Sequence, residues 1–258
     1  MPSQGSLVDR FSGMVTRQRA DQFLLDGRQF GINSAQDLVD VIKLNAEGGS
    51  CQTAIINVQD KVYRVFNQKQ EKSARGMNAR DIVLGDPFNG QTILATIYGG
   101  ISDIADSMPI ERGDEILLNN VLLDCKAGAV KSIARTSISI IKKSSELLPR
   151  LDSLQGSERN IDIAGKILEI GPLKYSSNSL QFQSAESYCM VTDFTKDINV
   201  HVSGSAALVL AAMKPGDFIK IEFCSALLAY SDIVISANNN SRIFSNTSIA
   251  ERLKDQHH

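Results

Sequence analysis

The chain has 258 residues, of which 43% are hydrophobic and 22% are charged. These values fit one large or two small globular domains and exclude wholesale disorder, while the formal net charge of −2 argues against a protein that coats nucleic acid through bulk basicity. No apolar run is long enough to span a bilayer, and the first residues lack the pattern of a secretory signal, so we expect a cytoplasmic protein with no membrane contact.

The cysteines and histidines offer no metal or catalytic framework. No CxxC pair occurs, which predicts free thiols in a reducing compartment, and the four cysteines are Cys51, Cys125, Cys189 and Cys224. His201 is the only histidine away from the C-terminal pair His257-His258. Because P-loop, GxSxG and HExxH motifs are also missing, we predict a protein that is not an enzyme and that uses no cofactor and no metal.

Residues 1–50 predict a small helical segment. Apolar residues at helical spacing between positions 7 and 15 indicate one short helix. A second helix begins at Ser34, where Asp37 three residues later completes a near capping box, and ends at Gly48-Gly49. The expected apolar face of this second helix consists of Leu38, Val41 and Ile42.

The next hundred residues show the period of β-strands, interrupted by one helix. The five predicted strands cover residues 53–66, 82–84, 91–98, 115–123 and 132–141. Asn89-Gly90 is a strong hairpin signal between the second and third strands. Apolar residues at i, i+3, i+4 and i+7 over 101–108 predict a short amphipathic helix between the third and fourth strands. The predicted order is therefore β-β-β-α-β-β.

Three sequence blocks recur in the same order farther along the chain. The paired blocks are 57–65 with 162–170, 84–93 with 191–198, and 112–118 with 215–221. Their offsets of 105, 107 and 103 residues drift little, which indicates two copies of one domain. The helix of the second copy is expected over 206–213.

A helix between the third and fourth strands is the order of an OB-fold, a five-stranded Greek-key barrel. An SH3-like barrel is the main competitor, and it does not normally carry a helix there. The predicted fold class is mainly β, with two tandem OB-fold barrels preceded by the small helical segment. The predicted boundaries are a helical segment over 1–50, OB-fold 1 over 51–147, a linker over 148–158, OB-fold 2 over 159–242 and a C-terminal tail over 243–258.

Two stretches of the first copy carry a family signature. Residues 81–86 read Asp-Ile-Val-Leu-Gly-Asp and are followed by a turn and the strand 93–100, and residues 110–118 contain Gly113-Asp114 at the start of the fourth strand. Together they resemble the OB-folds of archaeal replication protein A-like single-stranded DNA-binding proteins. The resemblance implies sequence-independent binding and protection of single-stranded DNA in replication, recombination and repair by a nucleoid-associated protein.

A binder of single strands needs cations for phosphates and flat surfaces for bases. An OB-fold supplies them from strands 2 and 3 and from the loops 1–2 and 4–5, and in the first copy both predicted loops, 67–80 and 124–135, are rich in cations. The predicted phosphate contacts are Lys61, Arg64, Lys69, Lys72, Arg75, Arg80, Lys126, Lys131 and Arg135. Tyr98, at the end of the third strand, matches the position of the family's stacking aromatic residue.

The second copy has fewer predicted contacts for a nucleic-acid strand. Its last loop, 225–232, has no cation, and the counterpart of Tyr98 falls near Ser203; its predicted contacts are Lys174 and Tyr175. This copy or the helical segment is a candidate docking site for replication or repair proteins. Two other functions stay open, namely an OB-fold protein-interaction subunit of a larger replication or repair complex and a single-stranded RNA binder, because stacking does not sense the 2′-hydroxyl. The oligomeric state is open as well.

Overall fold

The structure is a computed structural model that describes residues 32–48, 53–67, 69–70, 78–99, 110–145, 147–177, 183–245 and 247–255. The chain divides into two compact units, Met1–Ser145 and Glu146–His258, and the described part of each unit has its own hydrophobic core. Within these described ranges, no helix combines the length and the apolar character needed to cross a membrane.

The first unit contains a closed barrel of five long strands. Its elements are β1 (Ile32–Asn33), α1 (Ala35–Gly48), β2 (Thr53–Val65), β3 (Lys69–Gln70), β4 (Asn78–Asp86), β5 (Gln91–Tyr98), β6 (Glu115–Asp124) and β7 (Ala129–Lys142). Strand β2 pairs antiparallel with β4 and β6, β4 with β5, and β6 with β7. Parallel pairing of β5 with β7 closes the barrel, which is the strand arrangement of an OB-fold.

The second unit repeats this arrangement. Its elements are β8 (Arg159–Ile170), β9 (Lys174–Ser177), β10 (Gln183–Thr192), β11 (Asp197–Ser203), α2 (Ser205–Leu210), β12 (Phe218–Ala229), β13 (Asp232–Ala237), β14 (Arg242–Ser245) and α3 (Thr247–Asp255). Strand β8 pairs with β10 and β12, and parallel pairing of β11 with β13 closes the barrel. Helix α2 lies between the third and fourth barrel strands. The predicted mainly β fold with two tandem OB barrels is therefore confirmed.

The duplication extends to single hydrogen bonds at the start of the fourth strand. The Val62 amide donates to the Asp114 carbonyl oxygen over 2.7 Å, and the Ile167 amide donates to the Asp217 carbonyl oxygen over 2.9 Å. These four residues belong to the sequence blocks that recur with offsets of 105 and 103 residues. The block pattern therefore identified structurally equivalent positions.

A bulge in the fourth strand is duplicated in the same way. The Oδ1 atom of Asn57 accepts the Asn120 amide at 3.0 Å, and the Oδ1 atom of Asp162 accepts the Phe223 amide at 3.1 Å. Asn120 and Phe223 have φ angles of 54° and 55°, which residues with side chains seldom adopt. Such bulges increase the local twist of a strand. Each barrel has one at the equivalent position of its fourth strand.

Helix α1 forms as the sequence predicts. The amide and hydroxyl of Ser34 both donate to Asp37 Oδ2, over 2.9 and 2.8 Å, and the Asp37 amide donates back to Ser34 Oγ over 3.2 Å. This is a complete capping box. The predicted apolar face packs on the first barrel, with Leu38 and Val41 buried and Ile42 partly buried.

The end of the described chain packs on the second barrel. Strand β14 pairs with β12, and Ile249 and Leu253 of α3 are buried against Ala164 of β8. Under this cover, Lys220 Nζ lies 3.2 Å from Glu222 Oε1. The segment that the sequence assigned to a tail thus includes a strand and a helix that cover one side of the barrel.

Two strands begin earlier than predicted. Strand β4 starts at Asn78 rather than at position 82, because Ala79 pairs with Tyr98. Strand β7 starts at Ala129 rather than at position 132, because the Ala127 amide donates to Asp124 Oδ1 (3.0 Å) and tightens the preceding turn. The predicted basic loops are therefore shorter than the sequence suggested. The helices predicted over 7–15 and 101–108 lie outside the described residues.

Candidate nucleic-acid interface

Strands β4 and β5 form an outward-facing surface on the first barrel. Alternate residues such as Ile82, Leu84, Ile93, Ala95 and Ile97 are buried in the core, so the residues between them project to the other side of the sheet. We call this surface the β4–β5 face, and it consists of Asp81, Val83, Leu94, Thr96 and Tyr98. The strands that flank it are β2, next to β4, and β7, next to β5.

A polar row crosses the β4–β5 face. Thr96 lies opposite Asp81 on β4 and opposite Lys131 on β7, and its hydroxyl donates to Asp81 Oδ1 over 2.8 Å. Lys131 Nζ lies 3.0 Å from Asp124 Oδ2. Hydrogen bonds from the Ala127 amide and from Lys131 lower the pKa of the Asp124 carboxyl. The row therefore ends in an ion pair at the β7 edge.

An apolar row lies beside the polar one. Val83 is opposite Leu94 on β5 and opposite Arg64 on β2, and Leu94 is 38% exposed. The guanidinium carbon of Arg64 lies 4.2 Å from the centre of the Phe66 ring, a cation–π contact. Burial lowers the pKa of Arg64, but a guanidinium remains protonated at neutral pH. A partly exposed apolar strip thus has a cation at its β2 edge.

Tyr98 ends strand β5 at the margin of the β4–β5 face. It is opposite Ala79, its side chain is half-buried, and its amide donates to Ser132 Oγ over 2.8 Å. That hydrogen bond fixes the end of β5 against β7. The structure therefore brings together three of the predicted contacts on or beside this face, which are Arg64, Tyr98 and Lys131. Lys126 is exposed in the turn that precedes β7.

Two predicted contacts lie away from the β4–β5 face. Lys61 is exposed but faces Glu115 of β6, a strand that does not adjoin β4 or β5. Arg80 belongs to β4 rather than to a loop, is buried, and donates through Nη1 to the Phe66 carbonyl oxygen at 3.3 Å. Arg80 therefore binds the backbone that follows β2 and is not available to contact a phosphate.

The remaining predicted cations of the first copy are spread over two segments. Arg135 is exposed on β7, beside the bulge, where its carbonyl oxygen accepts from Asn120 Nδ2 at 3.4 Å. Lys69 lies in the short strand β3, which pairs with β4. Lys72 and Arg75 lie outside the described residues. The sequence predicted that two basic loops converge on one groove. The structure describes the second of them, at the turn before β7 and the start of β7, whereas residues 71–77 of the first loop lie outside the described residues.

The second barrel carries an aromatic pair that sequence reasoning did not single out. Tyr188 of β10 lies directly opposite His201 of β11, and both side chains are exposed. The signal was present, because buried Cys189 and Val191 alternate with Tyr188 and Met190. The repeat places the counterpart of Tyr98 near Ser203, and this single position does not reveal its aromatic neighbours on the same face.

The two contacts predicted for the second copy lie in strand β9 rather than in an irregular loop. Lys174 and Tyr175 pair with Glu186 and Ala185 of β10, and the Tyr175 side chain is 62% exposed. Among the residues that the structure describes, no group of three or more His, Cys, Asp and Glu side chains is placed to hold a metal ion.

Comparison with known proteins gives similarity of structure only. No family profile and no curated protein matches the chain. A structure of a replication protein A heterotrimer bound to single-stranded DNA is similar with a TM-score of 0.50 and 13% identity, over 79% of this chain and 52% of that one. The chain thus spans about half the length of that relative, and the similarity supports the OB-fold architecture.

Two further solved structures are similar at lower scores. Fission yeast Pot1 with single-stranded DNA has a TM-score of 0.34 and 10% identity, over 93% of this chain and 98% of that one. A replication factor A-related protein from Methanobacterium thermoautotrophicum has a TM-score of 0.36 and 11% identity, over 39% of this chain and 92% of that one.

Proposed function

We propose that this chain binds single-stranded DNA without regard to base sequence, through the β4–β5 face of the first barrel. The observation that carries the proposal is a partly exposed apolar strip that lies between two cations of this surface. Val83 and Leu94 form the strip, and Arg64 on β2 lies opposite Val83. Lys131 on β7 lies opposite Thr96, the next outward residue of β5 after Leu94. A single strand offers the complementary surface, with bases toward the strip and phosphates toward the cations.

The composition of the strip supports binding without base readout. Val83 and Leu94 have no side-chain hydrogen-bonding group, so they accept the face of any base, as does the ring of Tyr98. Duplex DNA keeps its bases stacked inside and presents mainly phosphate to such a surface. Binding of this kind protects exposed strands during replication, recombination and repair, which is the role we propose for the chain at the nucleoid.

A titration of labelled oligo-dT by fluorescence anisotropy at several salt concentrations tests the proposal. We expect log Kd to vary with log salt with a slope of magnitude about 2–4, since each of some three to five neutralised phosphates contributes about 0.7. Duplex DNA of equal length is expected to compete poorly. Equal affinity for duplex and single strand would contradict the proposed face and indicate attraction by surface charge alone.

A matched pair of lysine variants locates the site. Lys131→Gln removes a cation beside β5 and is expected to reduce the magnitude of the salt slope by about 0.7. Lys61→Gln removes an exposed cation that faces β6, so its slope is expected to equal that of the unmodified chain. Equal losses in both variants would argue against the β4–β5 face.

A second candidate function is that of an assembly subunit of a replication or repair complex, and one feature of the second barrel favours it. Tyr230, in the turn between β12 and β13, is fully exposed with a φ of 59°, and Leu228 nearby is 63% exposed. Bulky residues seldom adopt this backbone conformation. A folded chain that binds neither oligo-dT nor oligo-U at low salt would favour this candidate, and tighter binding of oligo-U would favour an RNA role.

A further inference from the structure

The pairing registers place the aromatic pair of the second barrel at a defined position of the repeat. Tyr188 and His201 face each other across the second and third barrel strands, as Asp81 and Thr96 do in the first barrel. His201 follows Thr96 by 105 residues, the offset of the first repeated sequence block. The same place is therefore polar and hydrogen-bonded in one barrel and aromatic in the other.

The charge beside this position also differs between the barrels. In the first barrel Thr96 lies opposite Lys131 of the fifth strand, whereas in the second barrel His201 lies opposite Ser236. Ser236 again follows its counterpart by 105 residues. The second barrel thus lacks the permanent cation of the first at this position, and His201 itself is the group there that a proton turns into a cation.

The immediate neighbours of His201 are mostly uncharged. The side chains that face it or flank it on the outward side of β10, β11 and β13 are Glu186, Tyr188, Met190, Asn199, Ser203, Val234 and Ser236. Only Glu186 among them is charged, and it pairs in register with Lys174 of β9. Glu169 of β8, opposite Met190, and Asp197 of β11 add two exposed carboxylates to this side of the sheet. Carboxylates and lysines keep their charge between about pH 5.5 and about pH 7.5, so within that range the charge of this surface changes with the protonation of His201.

The Tyr188 ring packs against the backbone at Gly171. Gly171 leaves room for it, since a Cβ atom at position 171 would overlap the ring. The Gly171 amide donates to the Tyr188 carbonyl oxygen over 2.8 Å, and Ser187 Oγ donates to the Gly171 carbonyl oxygen over 3.0 Å. Because Tyr188 packs against the backbone at Gly171 and is still 43% exposed, its ring is a preorganised stacking surface for one base.

We propose that the outward surface of β10 and β11 is a second single-strand site, which stacks bases on Tyr188 and binds a phosphate when His201 is protonated. The inference rests on the proposed function. A polyanionic strand favours the imidazolium form, so binding takes up a proton and becomes tighter as the pH falls through the range where histidines titrate. The lysines and arginines of the first barrel stay charged across that range.

The test uses the full chain and an oligo-dT of about 30 nucleotides, long enough for two barrels at about 4–16 nucleotides each. The oligonucleotide carries a rhodamine label, because neither thymine nor this dye titrates near neutral pH. From about pH 7.5 to about pH 5.5 we expect binding to become about two- to fivefold tighter and the salt slope to steepen by about 0.7. His201→Gln is expected to abolish both changes.

The C-terminal histidines provide the matched control. The double variant His257→Gln, His258→Gln is expected to keep the pH response of the unmodified chain. A response that persists in His201→Gln, that disappears in the double variant, or that the unmodified chain lacks while it binds oligo-dT would overturn the inference and leave the proposed function standing. Failure of the folded chain to bind oligo-dT at either pH would instead overturn the proposed function. Circular dichroism at both pH values verifies that each variant is folded.

Discussion

Tyr98 lies at the edge of the β4–β5 face, where its amide donates to Ser132 Oγ over 2.8 Å. A flat side chain at this place offers a stacking surface, which is worth about 1–3 kcal/mol per base. Tyr98→Ala is therefore expected to weaken oligo-dT binding about 5- to 150-fold, whereas Tyr98→Phe is expected to be nearly silent. Anisotropy titrations measure both. An alanine variant that loses thermal stability but keeps its affinity would remove Tyr98 from the site.

Asp86 and Asp193 occupy equivalent turns after the second strand of each barrel, but in different surroundings. Asp86 is exposed and caps a short turn through the Phe88 amide at 2.9 Å. Asp193 is buried and accepts from the amides of Leu151 at 2.8 Å and Thr195 at 2.9 Å. Asp193→Asn is expected to cost about 1–3 kcal/mol of unfolding free energy, and Asp86→Asn distinctly less, in urea titrations. Equal costs would contradict this ranking.

The Asp193 carboxyl predicts that the stability of the fold depends on pH. Burial by itself raises the pKa of Asp193, but the hydrogen bonds from Thr195 and Leu151 outweigh burial, so the pKa is lowered. A lowered carboxyl pKa stabilises the fold above the ordinary aspartate value of about 3.9, and that contribution is lost as the pH falls below it. The urea midpoint of Asp193→Asn is therefore expected to fall less steeply with acid than that of the unmodified chain. Parallel curves for the two proteins would argue against this role.

At the scale of elements, helix α3 determines what the second barrel exposes. Ile249 and Leu253 are buried against Ala164, and the helix packs on β8 and β12. Ile249→Ala or Leu253→Ala is expected to cost about 2–5 kcal/mol, whereas Glu251→Ala, on the exposed side of the same helix, is expected to change stability by less than about 0.5 kcal/mol. Urea unfolding followed by circular dichroism distinguishes them, and a small loss at both apolar positions would show that the helix does not cover the barrel in solution.

At the scale of the whole molecule, two units with separate cores allow their binding to be measured apart. A fragment of residues 1–145 contains Arg64 and Lys131 and is expected to retain most of the oligo-dT affinity near neutral pH. A fragment of residues 146–258 is expected to bind more weakly and with a shallower salt slope, because its outward face holds few permanent cations. A C-terminal fragment that binds as tightly as the whole chain would move the primary site to the second barrel.

Local patterns in the sequence determined the fold. Alternating apolar residues, the turn at Asn89-Gly90, the capping box at Ser34 and the repeated Gly-Asp before the fourth strand each depend on a few neighbouring residues. Interactions of such short range are readable from sequence alone. Their order along the chain then predicted two OB barrels, and the repeated blocks at Val62 and Ile167 make equivalent hydrogen bonds in the structure.

Only the tertiary structure decided which side chains share a face. Arg80 is buried, Lys61 faces β6, and Tyr188 lies opposite His201 on the adjacent strand. Each outcome depends on strand register, and a shift of one residue moves a side chain to the opposite face of a sheet. Register in these barrels is set by turns and by bulges such as the one at Asn120, whose partner Asn57 is distant in sequence. Local periodicity therefore predicted the strands but not the residues that they bring together.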